Sequence, residues 1–420
     1  MAYQEKIIDN YANYSAGANG AVTLDKYISA GTKEYNNTGI ALFFVGFASF
    51  SMIYCVQPLL PAFAKSFGVS PANSSLALSL TTFFLAISIF LMGAISQIFD
   101  RKKMIYVSML SGAILNFIAA FVPHWHQLLL ARALEGFVLG GVPAVAMAYI
   151  SEEINPKNLG RSMGLYIAGN GFGAMVGRVG MGALTEFTSW HLAMALMGII
   201  CILSAFAFYV LLPAPRNSVR TNKLDIGFHF NAWKSHLSNK NLLRVYLLGF
   251  LLTGIFVTIF NYTTFRLSAP PFNLSQFMIA MLFLAFGFGV ISSSLAGGLS
   301  DKIGRKPVMI GGFTLMLAGV LVSFLSSIVT IIFAIILVTT GFFIAHAAAS
   351  SSIGFIAKEN KGHASSLYLL FYYFGSSIVG SLGGILWHNG GWASVATLCA
   401  AMSLIAIVTA NSLVVIKKDR

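Results

Sequence analysis

Apolar runs of about twenty residues, parted by short polar or glycine-rich breaks, occupy almost the whole chain beyond residue 37. They fall at 38–60, 75–98, 104–123, 127–150, 163–186 and 190–212, and again at 244–264, 275–298, 308–326, 328–355, 364–387 and 392–415. At ~1.5 Å per residue, each is long enough to cross a hydrocarbon layer of ~30 Å as a helix. Lipid offers no partners for open backbone groups, so the pattern predicts an all-α membrane protein of twelve transmembrane helices. One long polar connection, Pro213 to Asn241, divides the runs into two sets of six. The expected organisation is a polar tail over 1–36, a first six-helix bundle over 37–212, a linker over 213–243, a second bundle over 244–416 and a short tail over 417–420.

Composition sharpens this picture. Hydrophobic residues make up 57% and charged residues 9% of the chain, against roughly 25% charged in a soluble domain. The net charge of +13 would suggest nucleic acid in a soluble protein, but its distribution points to a bilayer. With the N-terminus on the cytoplasmic side, Lys6, Lys26, Lys33, Arg101, Lys102, Lys103, Lys157, Arg161, the linker cations, Lys302, Arg305, Lys306, Lys358, Lys361 and the C-terminal Lys417, Lys418 and Arg420 all share that side. The other face keeps Lys65 and Arg266. Cytoplasmic loops carry the Lys/Arg excess, so both termini are expected inside. The first 36 residues lack an apolar stretch of the signal-peptide kind and read as a mobile cytoplasmic tail. Cys55, Cys201 and Cys399 each sit in an apolar run and read as buried thiols.

The two sets of runs repeat one another. Gly93-Ala-Ile-Ser-Gln-Ile-Phe-Asp-Arg-Lys102 follows the second run, and Gly297-Gly-Leu-Ser-Asp-Lys-Ile-Gly-Arg-Lys306 follows the eighth. Gly160, Leu165, Tyr166, Phe172 and Gly173 recur as Gly362, Leu367, Tyr368, Phe374 and Gly375. Six helices per copy give both copies the same orientation, related by an axis along the membrane normal, with a solute site expected between them.

The segment Gly297 to Lys306 resembles the loop signature G-x-L-x-D-K/R-x-G-R-K of the major facilitator superfamily at every defined position. The first copy departs from it, with Gln97 in place of the acid and Asp100 in place of the glycine. Leu128 through Arg132 and Glu135 to Gly136 resembles the superfamily's R-x-x-Q-G element, with Glu replacing Gln. Gly169, Gly173 and Gly177 resemble the glycine-rich motif of the drug:proton antiporter branch, with Ala174 for its proline and Arg178 for one of its glycines. Tyr54-Cys-Val-Gln-Pro-Leu-Leu-Pro61, Gly341-Phe-Phe-Ile-Ala-His346 and Ser365-Ser-Leu-Tyr368 with Tyr372-Tyr373 look like the YnfM-type subgroup of bacterial inner-membrane exporters. The resemblance implies the major facilitator fold, the inner membrane and efflux. The loop of Gly297, Asp301, Gly304, Arg305 and Lys306, with Gly297 allowing close helix approach, reads either as a conformational latch or as a topology anchor alone.

Candidate chemistry is sparse. Once loops and span ends are set aside, Glu135 is the one carboxylate inside a predicted span, where a charge costs about 2.5 to 3.5 kcal/mol at the centre of the bilayer. Arg132, three residues earlier, shares its helix face. The pair reads either as a proton-binding site, with Arg132 as tuner, or as a static ion pair that fixes packing. His346, in the tenth run, is a second proton station or a hydrogen-bonded packing residue. In the superfamily the first, fourth, seventh and tenth spans line the cavity. The resemblance therefore directs Tyr54, Gln57, Asn261, Tyr262 and Ser350 towards substrate, beside Arg132, Glu135 and His346. Tyr368 and Tyr372 share an aromatic face on the eleventh span, and Arg178 pairs with Glu135, senses substrate charge or is simply structural.

No phosphate-binding loop and no paired metal-ligand motif occurs, so no cofactor, no metal and no enzymatic activity are expected. The reading is a monomeric, proton-coupled exporter of small organic compounds, exchanging solute and protons across the bilayer by alternating access. A proton symporter or facilitator importing a metabolite fits the same fold. A membrane-embedded enzyme or sensor is disfavoured, since no nucleophile, acid pair or signalling domain is seen.

Overall fold

A computed structural model describes residues 27–96, 98–217 and 225–414. Gln97, part of the linker, both outermost tails and their cations Lys6, Lys26, Arg220, Lys223, Lys417, Lys418 and Arg420 lie outside the described residues.

The twelve expected spans are present as helices. The first bundle comprises Lys33–Phe67, Pro71–Ile95, Arg101–Ala119, Trp125–Glu153, Leu159–Phe187 and Trp190–Leu211. The second comprises Lys240–Ser268, Gln276–Ile303, Arg305–Val322, Ile328–Ile356 and the stretch Lys361–Asn411, which holds the eleventh and twelfth spans on either side of a bend at Gly390 and Gly391. Nine of these helical stretches are long and apolar enough to cross a membrane. No strand occurs among the described residues, only an isolated bridge between Ile28 and Ile154. Side-chain caps open several helices: Ser70, Asp100, Ser189 and Ser275 each accept from a backbone amide of the first turn, which otherwise has no intrahelical partner.

The boundaries differ from the hydropathy reading in three places. The first helix begins at Lys33, where Thr32 Oγ1 accepts from the amide of Tyr35. Residues 28–30 before it are docked on the loop between the fourth and fifth spans, through Ile28 N to Glu153 O at 2.8 Å and Asn155 N to Ile28 O at 3.0 Å. The tail is therefore held before residue 36. The linker contains a helix, Ile226–Ser238, opened by the Asp225 side chain; a short helix with a largely polar sequence leaves no long apolar run to detect. The seventh span starts at Lys240, one residue after Asn239, whose side chain caps it. Asp100, in the departed copy of the loop signature, is likewise a helix cap, accepting from the amide of Lys103.

Helices in lipid gain little from hydrophobic exclusion and pack through small residues. Gly169, Gly173 and Gly177 on the fifth span face the backbone of Phe43, Phe47 and Ser51 on the first. In the second bundle Gly375 of the eleventh span meets the backbone of Phe250 on the seventh in the same way, so the sequence repeat is a repeat of contacts. The loop lysines repeat as well: Lys102 Nζ donates to Leu212 O at 2.5 Å and Lys306 Nζ to Leu413 O at 3.3 Å.

Between bundles, the contacts gather from mid-height to the end away from the basic loops. There Gly384 lies against Ala72, Gly182 against Ala280, and the Phe277 amide donates to Glu186 at 3.3 Å. Phe83 stacks on Phe374 at 5.1 Å nearer the middle. Gly171 still meets Val290 at 3.8 Å. Seven residues further along each helix towards the basic end, Gly164 and Gly297 have no neighbour within 4 Å of an added Cβ. Gly297 therefore makes no close helix approach in this conformation, contrary to the expectation from the loop signature, because the bundles diverge at its level.

The linker helix reaches both bundles near the basic end. Trp233 stacks on Phe90 of the second span at 4.1 Å, and His229 Nδ1 lies 2.8 Å from His363 Nε2 at the start of the eleventh.

Candidate functional site

The residues singled out by sequence form four groups. The first is inside the amino-terminal bundle. Pro58 has no amide to donate, and the first span stops as an α-helix at Tyr54 and continues through a single 3-10 turn, Gln57–Leu59. The last carbonyls of a helix lack intrahelical donors, and those of Met52 and Ile53 accept instead from Arg132 Nη1 at 3.1 Å and Nη2 at 2.9 Å. Arg132 Nε adds a bond to Ala77 O at 3.3 Å on the second span. Arg132 Nη1 also pairs with Glu135 Oε2 at 2.5 Å, both side chains fully buried. The spacing of three had placed these two on one face, and the ion pair forms there. Glu135 Oε1 is buried with no hydrogen-bond partner. Asn116 of the third span, which the sequence reading passed over, completes the group: its Oδ1 lies 3.5 Å from Arg132 Nη1 and its Nδ2 donates to Met194 O. An asparagine alone in an apolar run was the available signal.

The second group spans the two bundles. Arg178 Nε donates to Gln57 Oε1 at 2.6 Å, and Gln57 Nε2 donates to Asn261 Oδ1 at 2.8 Å, joining fifth, first and seventh spans in one chain. Arg178 Nη1 bonds to Ala174 O at 2.6 Å, one turn back on its own helix. The Arg178 guanidinium lies 4.1 Å from the ring centre of Tyr54, 4.7 Å from that of Phe286 and 5.2 Å from that of Phe283. The alternative pairing of Arg178 with Glu135 does not occur, because Glu135 is held by Arg132. Phe283 and Phe286 carry no mark in a sequence with 36 phenylalanines, and only the fold singles them out.

The third group lies on the tenth and eleventh spans. His346 Nδ1 is 3.0 Å from Tyr368 Oη, and its ring centre is 5.0 Å from that of Tyr372 and 5.9 Å from that of Phe342. A continuous aromatic belt links this group to Arg178: Phe342 packs on Phe256 at 4.0 Å and Phe343 at 5.3 Å, and both pack on Phe286. Tyr262 and Ser350 stand apart in role. Tyr262 Oη donates to Gly380 O at 2.8 Å and ties the seventh span to the eleventh, while Ser350 Oγ donates to His346 O one turn back on its own helix.

The fourth group is the loop signature. Asp301 is 76% exposed and its nearest cation, Arg305 Nη2, is 3.9 Å away. Arg305 donates to Ser351 Oγ at 3.2 Å and lies 3.6 Å from the ring centre of Phe355, both on the tenth span. Gly304, at φ 91°, occupies a backbone region that side chains rarely adopt, which accounts for glycine between the eighth and ninth spans. In the first copy Arg101 makes a bidentate pair with Glu152 at the end of the fourth span, at 2.6 and 2.5 Å. The first copy thus keeps an arginine–glutamate pair and lacks the acid in the loop; the second keeps the loop acid and has Ser351 where its arginine reaches the tenth span. Among the described residues no cluster of three or more metal-ligating side chains is found.

Comparison with known proteins agrees with this architecture. The sequence pattern of the Major Facilitator Superfamily matches residues 42–295 and 268–420. The chain is 42% identical over 393 residues to the inner membrane transport protein YnfM of Escherichia coli, covering 93% of each. It is 39% identical over 381 residues to the uncharacterized MFS-type transporter YybF of Bacillus subtilis, covering 91% of this chain and 94% of that one. Among solved structures, the nucleoside transporter NupG, in a mutant form, superposes with a TM-score of 0.75 at 14% identity, over 91% of this chain and 100% of that one. A bacterial homologue of the human lysosomal transporter Spinster, inward-facing and unoccupied, gives 0.71 at 15% identity, over 91% and 95%. At such identities the structures speak for the fold alone, and the sequence matches carry the assignment. Twelve helices in two repeated bundles, a loop signature at the junction of the eighth and ninth, and relatives matched almost end to end make this chain a multi-pass membrane transporter of the Major Facilitator Superfamily.

Proposed function

We propose that the protein is a proton-coupled exporter of small organic compounds across the bacterial inner membrane, with both termini and the basic loops in the cytoplasm, working by alternating access. The observation that supports alternating access is the asymmetry between the bundles, while the buried carboxylate of Glu135 supports proton coupling. They meet through Ala72–Gly384, Gly182–Ala280 and Gln57–Asn261, whereas Gly164, Gly297 and the exposed Asp301 towards the basic end have no partner across the gap among the described residues. With the basic loops in the cytoplasm, this asymmetry supports a state open to that side. The loop latch, held here only by Arg305 at 3.9 Å, closes in the opposite state.

Glu135 is the proton carrier in this scheme. It is a buried carboxylate with one oxygen on Arg132 and the other without a partner, so a proton taken up on Oε1 would remove a charge that only Arg132 answers among the described residues. Arg132 stays charged in either state and holds the carboxyl in place. His346, hydrogen-bonded to Tyr368 beside the aromatic belt, is the second titratable station, closer to the cytoplasmic opening.

The test is a growth screen. Strains lacking and overproducing the protein are exposed to toxic organic acids, bases and neutral compounds, with and without an uncoupler. Overproduction is expected to raise tolerance to at least one class, an uncoupler to abolish the gain, and Glu135→Gln to abolish it at equal protein levels. A Glu135→Gln strain as tolerant as wild type would remove Glu135 from coupling. Sensitisation by overproduction would reverse the direction to uptake.

A further inference from the structure

We infer that the transported solute is a lipophilic organic anion, and that Arg178 is the subsite for its negatively charged group. This rests on the transport reading above and names the substrate class of the same central region.

The argument is one of charge balance. Four other charged residues among the described ones are at most 5% exposed, and each is answered locally. Arg101 pairs with Glu152, Arg132 with Glu135, and Glu153 accepts from the backbone amides of Arg216 and Asn217. Arg178, 1% exposed, is the exception: no described carboxylate lies within 4.0 Å of it. Its hydrogen bonds go to two neutral acceptors, Gln57 Oε1 and Ala174 O, and Nη2 has no described acceptor. The faces of Tyr54, Phe283 and Phe286 provide cation–π attraction, which offsets part of the cost of taking a guanidinium out of water but does not neutralise it. A buried charge of this kind marks a binding function, and an arginine fork fits carboxylate, sulfonate or phosphonate oxygens.

The surroundings define the rest of the ligand. The stretch of the aromatic belt from Phe286 through Phe256 and Phe343 to Phe342 is apolar, with Tyr372 and His346 as polar groups at its far end, so the charged group requires an aromatic or aliphatic body behind it. Sugars, rich in hydroxyls, would find few partners there.

Occupancy is also wired to the seam between bundles. An anion that draws the guanidinium away from Gln57 Oε1 frees the amide that bridges to Asn261, whose own Nδ2 is buried without a partner. Solute binding therefore weakens one of the bonds that hold the far end shut, which is the step that lets it leave on that side.

Three probes that share one naphthalene body distinguish this from other substrate classes: 1-naphthoate, 1-naphthamide and 1-naphthylmethylamine, titrated into the full-length purified protein and followed by its melting temperature, then by counterflow in proteoliposomes. Naphthoate is expected to bind at least about tenfold more tightly than naphthamide, a difference of one charge-assisted hydrogen bond. Arg178→Gln is expected to erase that preference, and Arg178→Lys to keep part of it. The inference is overturned if naphthoate binds no better than the amide, if the amine is preferred, if none of the three binds, or if Arg178→Gln leaves naphthoate affinity unchanged. Should Arg178→Gln not fold, the order of the three probes on wild type and Arg178→Lys decides the matter. Proton-dependent counterflow of the amine would leave the transport reading standing while the anion subsite fell.

Discussion

Alanine at Gly136 or Gly375 is expected to cost the protein about 3 kcal/mol or more, the upper range for overpacking, and to lower its melting temperature in detergent sharply. At Gly136 a methyl group would fall deep inside the contact distance of Thr81 O on the second span, and at Gly375 inside that of Phe250 O on the seventh. Both obstacles are backbone, which cannot swing aside as a flexible side chain does. The roughly 1 kcal/mol that alanine gains over glycine in helix propensity cannot compensate. Gly164→Ala, with nothing within 4 Å, serves as the control and should keep or slightly raise the melting temperature. Equal melting temperatures for all three variants would mean that the close approach of these spans is not required for stability.

Arg132→Ala is expected to be as damaging, for a different reason. The substitution leaves Glu135 as a buried charge without its counter-ion, a loss that typically costs about 3 to 5 kcal/mol. It also strips donors from Met52 O and Ile53 O at the point where the first span breaks before Pro58. Expression should fall and the protein should aggregate on size-exclusion chromatography. The double variant Arg132→Ala with Glu135→Ala removes the orphaned charge and should recover part of that loss, but not the part owed to the two carbonyls. Full recovery in the double variant would show that the helix-break bonds contribute nothing.

Much of the architecture is legible in the sequence because lipid imposes a simple rule: a helix must be long and apolar to cross. The twelve runs follow from that rule, and the recurrence of Gly173 as Gly375 follows from the close packing that small residues allow. The linker helix escaped it, being set by the Asp225 cap and by Trp233 finding Phe90, a contact without a local signature. The same division holds at the site. Arg132 and Glu135 were placed together by helical spacing, and they pair. Arg178 stands out in the sequence as a cation among glycines, but its partners Gln57, Phe283 and Phe286 come from two other spans, and only tertiary packing brings them to it. Gly297 shows the converse, a motif position that borders open space in this conformation.

That last point bears on how tolerance to substitution should be judged here. Gly164 and Gly297 continue the face on which Gly171 and Val290 touch, yet each borders empty space. Bulk introduced at these two places would go unnoticed in any assay of the resting form and would act only as a wedge when the gap shuts, slowing turnover in a protein that otherwise melts, expresses and binds normally.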